Sequence, residues 1–175
     1  MRKICALMAL CAVAAYECMA KGIEIDTAPA NVVLDLDRYM GRWYEIARFD
    51  QPFERNLEYC KAYYTRKSNG DIEVKNVGMN TTKGRIKESY GNAKISKTQG
   101  QLRVSFFLFF YSDYNILAID DGYKWVLVGS KSPDYLWILA RTPSLDQPTL
   151  KHILTLAQNR GYDTSKLLFV KQRPQ

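Results

Sequence analysis

Apolar and polar residues alternate in short runs along most of the chain, and turn residues separate the runs. Period-two alternation of this kind marks half-buried strands. Strands are expected at 43–49, 59–65, 72–78, 85–95, 102–106, 114–120, 125–129 and 135–141. Pro52 ends the first strand, and a loop runs from Gln51 to Asn56. Asn69-Gly70 and Asp121-Gly122 are two-residue hairpin signals, Thr81 to Gly84 and Gln99-Gly100 turn the chain, and Ser132-Pro133 breaks it. The links are short and none contains a helix, so neighbouring strands must run antiparallel. The expected fold is all-β: an eight-stranded antiparallel up-and-down β-barrel, wide enough for one small ligand.

The period changes near the end of the chain. Leu150, Ile153, Leu154 and Ala157 fall on one face of a helix, with Asp146 as its cap, Pro148 in its first turn and Gly161 at its end. A helix with a single apolar face should pack outside the barrel. Residues 167–170 form a last short strand able to pair with an open edge. At the other end, Met1-Arg2-Lys3 and the apolar run from Ile4 to Ala15 read as an export signal, cut after Ala20. The division is then 1–20 signal peptide and 21–175 domain, with 21–34 an extended leader. A lipidated Cys needs a small residue before it, and Cys18 follows Glu17 while Cys11 follows Leu10. A soluble exported protein, periplasmic or associated with an outer membrane, is therefore favoured over a lipid-anchored one.

Composition narrows the picture. A chain of 175 residues, 47% hydrophobic, supports one domain with a sizeable core. The aromatic share is 13%, with 12 Tyr, which suits strands and an aromatic-lined cavity. The formal charge is +7, but Lys and Arg are spread along the chain, which argues against nucleic acid and leaves a solvated surface or attraction to anionic lipid. Three of the four Cys precede residue 20, so Cys60 has no internal partner for a disulfide.

Alternation also selects the inner wall. Cys60, Ala62 and Tyr64 oppose Lys61; Ile72, Val74 and Asn76 oppose Glu73 and Lys75; Leu102, Val104 and Phe106 oppose Arg103. In each case the set named first should face inward. Strands 114–120 and 135–141 are apolar on both faces, so alternation does not choose between them. A filled core satisfies the same pattern as an open cavity.

Four stretches, taken in order, resemble one family. They are Tyr39-Met40-Gly41-Arg42-Trp43-Tyr44-Glu45-Ile46-Ala47-Arg48-Phe49, Ser105-Phe106-Phe107, Tyr114 to Asp120, and Asp134 to Pro143. Over roughly 32–171 the chain resembles the lipocalins, most closely the bacterial lipocalins and their apolipoprotein D-like relatives. Gly41 and Trp43 complete the family's first motif, Asp120-Asp121-Gly122-Tyr123 partly matches the second, and Arg141 is the third. Gly41 would allow close approach and Trp43 would plug the barrel floor. In an up-and-down barrel the eighth strand ends where the first begins, so Arg141 should lie over the Trp43 indole as a structural clasp. The resemblance places Tyr114 and Trp137 in the cavity, giving a ligand wall of Tyr64, Asn76, Phe106, Tyr114 and Trp137.

The implied function is binding, storage or transport of amphipathic lipids such as fatty acids or lysophospholipids, serving envelope maintenance. A planar hydrophobic ligand, a tetrapyrrole or sterol, is the alternative. No cofactor or metal is expected, and no HExxH, CxxC or phosphate loop occurs. The lone His152 sits on the outer helix, and the carboxylate pairs Asp35/Asp37 and Asp120/Asp121 suit capping. An enzyme is not expected; Cys60, a thiol facing the cavity, is the one candidate nucleophile. Topology puts Phe107, Leu108, Phe109 and Phe110 at the open end, where they form an apolar lip for a membrane, a second copy in a homodimer, or a lid.

Overall fold

The computed structural model describes residues 24–106 and 110–173. The region expected to be an export signal and Phe107, Leu108 and Phe109 lie outside the described residues. Nine strands follow in chain order: β1 Gly41–Arg48, β2 Leu57–Arg66, β3 Ile72–Asn80, β4 Arg85–Ile95, β5 Gln101–Ser105, β6 Ser112–Ile119, β7 Trp125–Gly129, β8 Leu136–Ala140 and β9 Leu168–Phe169. Each of β2 to β8 pairs antiparallel with its neighbour, and β1 pairs with both β8 and β2, which closes an eight-stranded barrel. The expected barrel is therefore the observed one, with ends shifted by one or two residues. Phe106 and Arg141 fall just past their strands.

β1 holds three partners. Gly41 to Tyr44 pair with β2, Tyr44 to Arg48 pair with β8, and Ala47 and Arg48 also pair with β9. Above Tyr44, β1 and β2 part company. The C-terminal tail fills the gap, where the Gln172 amide donates to the carbonyls of Glu45 and Cys60 at 2.8 and 3.0 Å.

The long helix, α2 (Gln147–Asn159), lies against the outside of the barrel. Asp146 caps it by accepting from the Thr149 N–H at 2.8 Å, and Gly161 leaves it with φ +86°. Ile153 and Ala157 are fully buried against Tyr44, Ile46, Leu136 and Ile138. Burying a side chain such as Ile153 contributes about 1.5–3 kcal/mol. The outer faces of β1, β6, β7 and β8 are thus covered by the helix, which is why β6 and β8 are apolar on both sides. His152 packs edge-on to Trp125 at 5.8 Å on this outer helix.

Two elements depart from the expected pattern. The polar turn before β1 is one turn of helix, α1 (Leu36–Tyr39), whose first N–H groups, on Asp37 and Arg38, donate to the Asp35 carboxylate. A short 3-10 turn, Thr164–Lys166, precedes β9 and is capped by Asp163. The leader before α1 is extended and crosses the barrel's outside. There Ala30 N–H donates to Ile116 O at 2.7 Å and Asn115 Nδ2 donates to Thr27 O at 2.8 Å.

Candidate functional site: a cup closed at one end

The closed end is built on Trp43. It is fully buried, and its indole N–H donates to Tyr39 O at 2.8 Å. The Arg141 guanidinium lies 3.7 Å from the Trp43 ring centroid and donates to the carbonyls of Arg38, Tyr39 and Arg42. Gly41 corrects the expectation of close approach. A Cβ there would meet nothing nearer than Arg141 Nη1 at 3.7 Å, an ordinary contact; its φ of +89° is what calls for glycine. The second motif joins the same clasp. The Tyr123 hydroxyl accepts from the Asp35 N–H at 2.8 Å, and Arg38 lies over the Tyr123 ring at 4.3 Å.

Above this floor Ile72, Val74, Leu102, Ile116, Val126 and Val128 fill the lower barrel. The upper part is open, a cavity of about 920 Å³. Tyr64, Asn76, Phe106, Tyr114 and Trp137 all line it, as do Cys60 and Ala62. Phe106 lies against Gly91: a Cβ on Gly91 would come within 2.8 Å of the ring. Links β1–β2, β5–β6 and β7–β8 ring the mouth through Phe53, Phe106, Phe110, Tyr111 and Lys131. Phe53, Phe106 and Phe110 are 52, 46 and 75% exposed there. The mouth thus keeps an apolar lip among the described residues.

Sequence alternation missed a charged patch in the wall. Glu45 Oε1 accepts from Arg48 Nη1 at 2.5 Å, while Arg48 Nη2 donates to the carbonyls of Glu54 and Leu57. The Trp137 indole N–H donates to Glu54 Oε2 at 3.1 Å, and Lys87 donates to Phe53 O at 2.7 Å. Glu45 shares the parity of Trp43, a signal that was present in the chain. Arg48 has the wrong parity for an inward residue. On β8, Leu139 pairs with Glu45 and Ile138 with Ala47, so Ile46 is an extra residue and the bulge turns Arg48 inward.

Burial, aided by the Glu54 charge, pushes the Glu45 carboxyl up to about 8, against the opposing pull of Arg48. Burial raises Glu54 as well. Burial also pushes the Cys60 thiol well up, with Glu45 adding to the effect. Among the described residues no group of three or more His, Cys, Asp or Glu is placed to hold a metal ion.

Comparison with known proteins agrees with this architecture. The lipocalin-like domain model matches residues 34–172. The outer membrane lipoprotein Blc of Escherichia coli K12 is 39% identical over 172 residues, 95% of this chain and 97% of its own. Temperature-induced lipocalin-1 of Arabidopsis thaliana is 38% identical over 77% of each chain, and mouse apolipoprotein D is 32% identical over 82% of this chain and 80% of its own. Insecticyanin from the tobacco hornworm superposes with a TM-score of 0.69 at 21% identity over 85% of each chain, a likeness of fold alone. With a closed eight-stranded barrel, an outer helix and the Trp43–Arg141 clasp in place, the chain belongs to the lipocalin family.

Proposed function

We propose that this protein is an exported carrier of amphipathic lipids, fatty acids or lysophospholipids, held with the acyl chain inside the barrel. The observation that carries the reading is the 920 Å³ cavity, open at one end and walled by apolar and aromatic side chains together with the charged patch around Glu45 and Glu54. Tyr64, Asn76, Phe106, Tyr114 and Trp137 are the proposed ligand contacts. The lip of Phe53, Phe106 and Phe110 offers a lipid a path into the cup that avoids water. Relatives aligned over nearly the whole chain are named outer membrane lipoproteins, which favours the cell envelope as the place of work. The protonated Cys60 favours binding over thiol chemistry.

The test is titration of the delipidated protein against saturated fatty acids of increasing length. Each buried methylene is worth about 0.8 kcal/mol, so affinity should rise roughly fourfold per carbon until the cup is full. Affinity independent of chain length would refute acyl binding in the cup.

A further inference from the structure

The polar groups in and beneath the cavity fall into two kinds. At the closed end the hydroxyls of Tyr39, Tyr64 and Tyr114 hydrogen-bond one another, at 2.7 Å for Tyr39–Tyr114 and 2.9 Å for Tyr64–Tyr114, and satisfy themselves. Further up the wall Glu45 is not satisfied. Its Oε1 accepts from Arg48 Nη1, whereas Oε2 meets no partner among the described residues and is open to the cavity. The carboxyl is protonated at neutral pH, and with Oε1 taking an N–H its proton belongs on Oε2. An almost buried acid thus points an O–H into the cup.

The surrounding charges decide what that O–H can hold. Arg48 lies beside Glu45 on β1, Glu54 faces it from the β1–β2 link, and Lys87 on β4 acts on Glu54. From β2 come the Cys60 thiol and, lower down, the Tyr64 phenol, both protonated. Lys61 is drawn over the Tyr44 ring, β8 contributes the uncharged Trp137 indole, and the tail contributes the Gln172 amide. With Glu45 neutral, Arg48 and Lys87 oppose Glu54 alone, so this wall carries at least one positive charge in excess. Arg48 Nε is buried without a hydrogen bond and stands 3.9 Å from Glu54 Oε2. Two donors of the wall therefore lack an acceptor.

We propose that Glu45 is the head-group contact for an oxyanion on a single-chain lipid, a fatty-acid carboxylate or a lysophospholipid phosphate diester, which accepts the Glu45 O–H beside Arg48 and Lys87. The proposal rests on the lipid-carrier reading. Once Glu45 ionises, the same contact sets two anions face to face without a proton between them. The bound anion is then released as pH rises through about 8. Conversely, the anion holds the proton on Glu45, so binding takes up a proton wherever the free carboxyl has lost it.

The experiment is calorimetric titration of delipidated protein, at about pH 6.5 and pH 9, with decanoic acid, decanoyl-lysophosphatidylglycerol and decanol, which share a ten-carbon chain. Both anionic heads are ionised at either pH. An anion held by Glu45 should bind about tenfold more weakly at the higher pH, and decanol should bind alike at both. Near pH 8.5, titration in two buffers of different ionisation enthalpy should show uptake of most of a proton per anion bound. In Glu45→Gln the ratio of affinities at the two pH values should fall to near one; should that variant fail to fold, proton uptake by the wild type carries the test. The loss in one anionic lipid or in both upholds the subsite and identifies the oxyanion. Binding of both anions that ignores pH, or decanol weakened as much as they are, would overturn the subsite and leave the carrier intact. Failure of all three lipids to bind would overturn the carrier and the subsite together.

Discussion

Replacing Arg141 with Ala tests the floor clasp. The side chain makes three hydrogen bonds to carbonyls and covers one indole face. Hydrogen bonds from a charged donor are worth about 1.5–3 kcal/mol each when buried. Here the guanidinium is half-buried, and the carbonyls of Arg38 and Arg42 would regain water. Tyr39 O would keep the Trp43 N–H. The lower end of the range therefore applies, with stacking on the indole adding about 0.5–1 kcal/mol. A loss near 3 kcal/mol follows, because the contacts share one side chain and do not add fully. For a chain of this size that lowers Tm by about 6–12 °C. Arg141→Lys should recover only a minor share, since one ammonium cannot span three carbonyls as a planar fork does. The assay is thermal unfolding by circular dichroism, paired with lipid titration. Arg141 does not line the cavity, so affinity should hold below the melting range. A stability change under about 0.5 kcal/mol, the range of ordinary surface substitutions, would refute the clasp.

Stability should also depend on pH through Glu45. Its folded pKa is raised from an ordinary 4.5 to about 8, so the folded state holds the proton more tightly. The contribution is complete below about 4.5 and is lost as pH rises through 8; Glu54 acts in the same direction, and urea unfolding from pH 5 to 9 should show less decline in Glu45→Gln. An identical slope in that variant would remove Glu45 from the account. At the mouth, Phe53→Ser/Phe110→Ser should slow lipid transfer from anionic liposomes severalfold at unchanged Tm, and an unchanged rate would exclude these rings from membrane contact. For the N-terminus, mass spectrometry of protein from envelope fractions should find a chain starting at Lys21; an acylated Cys18 would show an anchored form instead.

The barrel was legible because the strands alternate and the hairpins carry Asn69-Gly70 and Asp121-Gly122. The helix was legible from its single apolar face. Tyr64, Asn76 and Phe106 reach the cavity as parity required. The charged wall was not legible. Arg48 faces inward only because Ile46 bulges, and a bulge belongs to the register with β8, not to the local residues. Glu54 enters the wall through the β1–β2 link, whose course no period describes, while Lys87 lies on β4 itself. The Tyr39–Tyr114–Tyr64 contact joins three elements far apart in the chain, and nothing in their spacing announces it. Gly41 was noticed for the wrong reason, because its backbone angle is set by the route from α1 into β1.

The threefold pairing of β1 has a consequence for biosynthesis. β1 is the first strand to be made, yet its upper half must wait for β8 and β9, roughly 90 and 120 residues later. Strands β2 to β6 can form a meander while the rest of the chain is still being translated. The ring cannot close until Ala140 has emerged, and the remaining edge of β1 stays open until Phe169 has. Closure therefore rests on contacts of the highest sequence separation, whose entropic cost comes before any reward, and it should be the slow step of folding. Until then β1 and β8 show unpaired edges, and a chain truncated before Leu168 would keep one of them permanently, as a template for aggregation. For the export proposed above the same delay is useful, because a barrel that cannot close early remains a thread that a translocase can pass.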